Sequence, residues 1–136
     1  MLVGKLRDAP LEPVRSRSTA EIFTLYKSLS EPAGIGSVSV MFETLAPGHR
    51  ASSPHVHSAR DEFYIILKGS PTVHSGSETT ILAPGDYVAF PAGRGDFHYL
   101  HNPTDAEVEL ITIASCPDND VVEYAPAGPE TQAIAE

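Results

Sequence analysis

The sequence is short of several things, and each shortage removes a class of protein. There is one cysteine, Cys116, so an internal disulfide and a multi-cysteine metal site are both excluded. Basic residues are scarce, 9 Lys and Arg against 18 Asp and Glu, for a formal net charge of -9. Nucleic-acid binding draws on Lys and Arg to displace condensed counterions, so no nucleic-acid partner is expected. The same deficit leaves no basic face for anionic lipid. No apolar run approaches the length of a membrane span, and the opening MLVGKLRDAP has no apolar signal core, so no membrane partner is expected. These exclusions lead to the expectation of a soluble, cytoplasmic protein. Sustained helical periodicity is missing too, as are linkers, internal repeats and low-complexity blocks.

What remains is a chain of 136 residues, 41% hydrophobic, enough for one domain with a real core. Residues 1–35 read as an N-terminal arm, irregular over its first 19 positions, with a weak strand preference at Thr19 to Leu29. From Gly36 to Leu45 the alternation is clear, with Val38, Val40 and Phe42 on one face. Short runs then recur at Glu62 to Lys68, Pro71 to His74, Thr79 to Leu82, Tyr87 to Phe90, Phe97 to Leu100 and Glu107 to Ala114. They are separated by turn chemistry such as SGSE, APGD and NPTDAE. Short strands at regular spacing predict an all-β sandwich or barrel over residues 36–115. Residues 116–136 read as a Pro- and acid-rich tail over the surface, with Tyr124 packed there.

The chemistry concentrates in GHRASSPHVHSARDEFYIILKG, Gly48 to Gly69. His55 and His57 stand two apart, which on a strand turns both imidazoles to one face. Glu62 opens the next apolar run, and Tyr64 shares its parity. A second cluster, GDYVAFPAGRGDFHYLHN, brings His98, which shares a face with Leu100 and Asn102, while His101 takes the other. His98 is a candidate for one further ligand to a divalent metal. His49 and His74 fall at strand edges and read as surface, and Cys116 has no charged neighbour to activate it.

Together the two clusters resemble the paired motifs of the cupin superfamily. The first pattern is met by Gly48, His55, His57, Glu62 and Gly69, and the second by Gly85, Pro91, Gly93, His98 and Asn102. Two spacings depart from it. Six residues rather than five separate Gly48 from His55, and four rather than two separate Gly93 from His98. The second insertion, Arg94 to Phe97, falls in a loop at the site mouth and leaves the His98-to-Asn102 spacing intact. The resemblance implies a double-stranded β-helix, or jelly-roll, barrel. It also implies one divalent transition metal (Fe, Mn, Ni, Cu or Zn) held by His55, His57, Glu62 and His98.

The chain looks similar to small single-domain bacterial cupins grouped with mannose-6-phosphate isomerase-like proteins. Members of the superfamily include dioxygenases, decarboxylases, isomerases, lyases and non-catalytic binding or sensing domains, so the fold alone does not choose among them. The expected function is a metalloenzyme acting on a small, oxygen-rich, anionic substrate. The alternative is a non-catalytic small-molecule-binding cupin whose metal is mainly structural. Tyr64 is the candidate acid or base, in an E-x-Y arrangement that also resembles cupin-type dimethylsulfoniopropionate lyases. Arg94 is the candidate substrate-binding cation. Cupins commonly dimerise, and the N-terminal arm suits exchange of a strand, so a homodimer is expected.

Overall fold

The computed structural model describes residues 1–8 and 10–126, and among these no helix forms. Eleven strands do: β1 (Glu12–Arg15), β2 (Ile22–Ser28), β3 (Val38–Leu45), β4 (His55–His57), β5 (Glu62–Lys68), β6 (Thr72–Ser75), β7 (Glu78–Ile81), β8 (Tyr87–Phe90), β9 (His98–His101), β10 (Val108–Ser115) and β11 (Val122–Tyr124). They form a six-stranded sheet in the order β1-β2-β3-β10-β5-β8 and a five-stranded sheet in the order β11-β4-β9-β6-β7. Every pairing is antiparallel. The architecture is the all-β jelly-roll that the strand pattern and the resemblance predicted. No helix among the described residues is long and apolar enough to cross a membrane.

Strand β10 is the spine of the larger sheet, because it pairs with β3 on one side and β5 on the other. The two registers stack inward-facing side chains in rows that run across the barrel. Ser39, Ala114 and Glu62 form the first row. Met41, Thr112 and Tyr64 form the second, and Glu43, Leu110 and Ile66 the third. Leu45 and Val108 close the floor and are fully buried. Leu82, Val73 and Leu100 join Ile66, Leu110, Leu45 and Val108 in the core. The barrel is therefore apolar at one end and carries its polar rows at the other.

Gly69 explains how β5 stops there. It has φ near +88°, and a Cβ at that position would stand 2.8 Å from Val108 Cγ2, at the start of the spine. Only glycine fits both the turn and the close approach.

Two segments differ from their sequence reading. The arm is not irregular throughout: Glu12–Arg15 pairs with β2, and β2 pairs with β3. Pro13 obscured this strand, yet β1 is the sheet edge, where a missing N–H costs nothing on the open side. Arg7, further upstream, crosses the outer face, with its guanidinium 5.8 Å from the Phe42 ring centroid and 2.7 Å from Glu109 Oε1. The C-terminal segment likewise supplies β11, which pairs with β4 along His57, Val56 and His55. Ala9 of the arm and residues 127–136 of the tail lie outside the described residues.

Candidate metal centre

The two sheets bring the candidate ligands together from separate strands. His55 on β4 is directly opposite His98 on β9 in the smaller sheet, with ring centroids 4.7 Å apart. Glu62 faces them from β5 of the larger sheet. Its Oε1 lies 2.9 Å from His98 Nε2 and 3.3 Å from Nε2 of both His55 and His57. The ligand atoms of His55, Glu62 and His98 all fall within 4.8 Å of one another, a cluster that could hold a metal ion. His57 Nε2 approaches the same carboxylate but falls outside that mutual limit. His101 lies on the opposite face, opposite Thr72 and Arg50, and takes no part.

The donor chemistry fits a divalent transition metal. His55 Nδ1 lies 2.8 Å from the Ser53 carbonyl, which can only accept, so Nδ1 carries a proton; Nε2, which hydrogen-bonds Glu62 in the metal-free site, would offer its lone pair to an ion on losing its own proton. His57 Nδ1 lies 2.7 Å from Asp120 Oδ2, which likewise places a proton on Nδ1 and leaves Nε2 to face the site. Phe90 stacks on His98 with centroids 3.7 Å apart and fixes the plane of that ring.

Burial alone would raise the Glu62 carboxyl. Hydrogen bonding from His55 and His98 and the charges of His55 and His57 outweigh it and hold the group well below the usual carboxylate range. Glu62 is therefore an anion at neutral pH, as a ligand must be.

Asp120 is a site residue that the sequence reading missed. Besides His57 it accepts the backbone N–H of Ala59 at 2.9 Å and of Arg60 at 3.0 Å, so it also ties down the turn after β4. Burial pushes its carboxyl up, but these N–H groups and His57 bring it below its ordinary value. Its only sequence signal was its place in the acidic PDND stretch just before the β11 run. Replacing Asp120 with alanine is expected to weaken metal affinity about 10–100-fold while the fold persists. Competition with a chelating dye measures this, and unchanged affinity would refute the orienting role.

Beside the ligands lies a cavity of about 210 Å³, lined among others by Arg60, Tyr64, Thr112 and Glu43. The Tyr64 hydroxyl donates to Glu62 Oε2 at 3.3 Å, and the ring packs edge-on against Phe90. Tyr64 thus lies beside the ligand cluster, where its parity with Glu62 puts it. Arg94 does not reach this cavity. It is exposed on the lengthened loop and borders a different hollow with Glu78 and Asp96. That loop is tied sideways by Gly93 N–H to the His57 carbonyl and by Ala92 N–H to Asp61. Arg60, between the two halves of the first motif, is the cation in the cavity wall. Tyr124, read as a surface residue, closes on the site as part of β11, with its ring 6.3 Å from that of His55. His74, also read as surface, is half-buried and stacks on Tyr99 at 4.4 Å on the outer face of the smaller sheet.

A double-stranded β-helix with imidazoles and a carboxylate converging inside it defines a class of metal-capable β-barrels. The chain belongs to the cupin family: the cupin domain profile matches residues 41–114, from mid-β3 to the penultimate residue of β10. No curated protein matches the chain. Among solved structures it is similar to a sugar phosphate isomerase of the cupin superfamily from Silicibacter pomeroyi, with TM-score 0.73 and 24% identity over 82% of this chain and 75% of that one. The polyketide cyclase RemF from Streptomyces resistomycificus gives TM-score 0.77 and 20% identity over 96% and 89%. A protein described as a predicted oxalate decarboxylase, from Thermotoga maritima, gives TM-score 0.71 and 19% identity over 85% and 100%. At these identities the likeness is one of fold.

Proposed function

We propose that the chain binds one divalent transition metal, Fe, Mn, Ni, Cu or Zn, through His55, His57, Glu62 and His98, and acts as a metalloenzyme on a small, oxygen-rich anionic substrate. The convergence of three imidazole Nε2 atoms on one oxygen of Glu62, in the wall of a cavity, carries this reading. When bound, the ion would supply Lewis acidity or an activated water. The chain's own groups supply the rest. The Arg60 guanidinium makes no ion pair among the described residues, so its charge is available to a carboxylate or phosphate of the substrate. Tyr64 holds a proton at its phenol oxygen beside Glu62 and can give or take one at a substrate atom in the cavity. That placement favours isomerase or lyase chemistry, which turns on proton transfer.

The test begins with elemental analysis of protein purified without an affinity tag. Bound metal is expected in the wild type and its loss in His57→Ala; equal content in both would contradict the site. Turnover is then screened on sugar phosphates, keto acids and hydroxy acids. Tyr64→Phe is expected to keep the metal and lose activity by about 10²–10⁴-fold. Activity equal to wild type would remove the acid–base role.

We also propose a homodimer. The outer face of the larger sheet carries Phe63, Ile65, Ile111 and Ile113, with Tyr87 stacked on Phe63 at 5.1 Å and 66% exposed. Such an apolar face suits a second copy of the chain. Sedimentation is expected to give twice the 14.5 kDa of one chain, and a mass of 14.5 kDa would overturn the dimer.

A further inference from the structure

We propose that Glu43 and Thr112 form an uncharged polar floor to the metal cavity, which takes a hydroxyl or carbonyl oxygen of the ligand and so selects molecules with one anionic end over those with two. The inference rests on the metal-and-Arg60 reading above and narrows its substrate class.

The registers of β3, β10 and β5 place the two residues. Glu62 is in the first row, Thr112 in the second between Met41 and Tyr64, and Glu43 in the third beside Leu110 and Ile66. Below that row come apolar side chains of the core, Leu45 and Val108 first, with the Thr24 hydroxyl at the cavity's edge bonded to the Thr44 carbonyl. Glu43 thus faces the same cavity as the ligands but from its far end. It is 5% exposed, and no Lys, Arg or His forms an ion pair with it among the described residues. Burial without a cation opposite favours the uncharged, protonated form of such a carboxyl. Burial is the main force raising it, Thr112 and Thr24 oppose it, and the charge of Glu62 adds to the rise.

The Thr112 hydroxyl faces the same cavity beside Glu43. Its Oγ1 is buried and makes no hydrogen bond of ordinary geometry, although it is near enough to Glu43 to influence it. Buried hydroxyls are nearly always satisfied, so a partner oxygen at this level would complete the row. The floor therefore offers a carboxylic O–H and a hydroxyl. An alcohol or ketone oxygen accepts from them at little cost. A ligand carboxylate there would be stripped of water with no cation opposite it, since Arg60 and the metal ligands are at the other end.

The experiment pairs ω-hydroxy monocarboxylates with dicarboxylates of equal chain length, over a series of lengths, on Zn(II)-loaded protein by titration calorimetry. Metal content is measured first on every variant, so failure of the metal reading is seen separately. At the lengths that bind, the hydroxy acid is expected to bind about tenfold more tightly than the diacid. Glu43→Gln, which keeps an N–H donor, should retain that preference. Glu43→Leu and Thr112→Val should each reduce it. Equal binding of the pair, a preference unchanged in Glu43→Leu, or no binding at any length would each overturn the proposal. An infrared difference spectrum between wild type and Glu43→Gln at neutral pH judges the floor without any metal. The C=O stretch of a protonated carboxylic acid should disappear in the variant, and a carboxylate signal in its place would also overturn the proposal.

Discussion

Glu62→Gln is expected to cost more than about a hundredfold in metal affinity, beyond the 10–100-fold range set for residues that only orient a ligand. The substitution is nearly isosteric, so the three imidazoles keep their places. What goes is the one negative charge at the point where they converge. Four neutral donors leave a divalent ion with its full charge in a partly buried site, whereas a carboxylate offsets part of it.

The metal-free protein offers a second readout. The folded-state carboxyl of Glu62 is depressed relative to an unfolded chain. A depressed carboxyl stabilises the fold at pH values above its unfolded range, and that contribution is lost as pH falls towards the folded value. Metal-free Glu62→Gln should accordingly be less stable than wild type at neutral pH by about 2 kcal/mol, the scale of a charged hydrogen bond. The gap should narrow on acidification below the ordinary carboxylate range, because only wild type has that stability to lose. Urea titrations at several pH values measure the gap. Full metal content in the variant, or a gap independent of pH, would show that Glu62 is a bystander.

The clustering of the candidate ligands was legible in the sequence because each is placed by a short-range rule. His55 and His57 share a face by strand parity, Glu62 and Tyr64 do so again on β5, and His98 follows a turn that Pro91 and Gly93 announce. The residues that complete the site have no such rule. Arg60 is in a turn, where parity says nothing about direction, and Arg94 drew attention only through the unusual length of its loop. Asp120 reaches His57 across 63 positions, because β11 folds back to pair with β4. Glu43 is a single acidic residue in an alternating strand, with no motif around it. Its inward parity with Met41 places it in the barrel, but its isolation from cations depends on what the other strands present. Local pattern thus placed the candidate ligands, and long-range pairing decides what surrounds them.

Asn102 shows that membership of a motif does not make a residue part of the chemistry. It stands just past the end of β9, four positions after His98, and its side chain is fully buried. Yet none of its hydrogen bonds among the described residues goes to a candidate ligand. Its Nδ2 donates to the carbonyls of Leu45 at 2.9 Å and Ala106 at 2.8 Å. Its Oδ1 accepts from the N–H of Thr104 at 3.1 Å and the hydroxyl of Thr104 at 2.6 Å. Its backbone adds an N–H to the His49 carbonyl and a carbonyl to the Gly48 N–H. Side chain and backbone of this one residue therefore join the end of β3, the turn at Gly48 and the loop leading into β10. Asn102→Ala would leave buried carbonyls without donors. The expected loss is about 3 kcal/mol, or about 10 °C in Tm for a chain of this size. Asn102→Asp should be worse, since it keeps the acceptors for Thr104 but turns an anion towards the carbonyls of Leu45 and Ala106. At temperatures where the Ala variant is still folded, its metal affinity should equal that of wild type. Thermal unfolding and metal titration on the same preparation separate the two roles. Loss of metal at wild-type stability would move Asn102 into the site, and loss of stability with metal binding intact would confirm it as the tie that holds the two ends of the barrel strands in register.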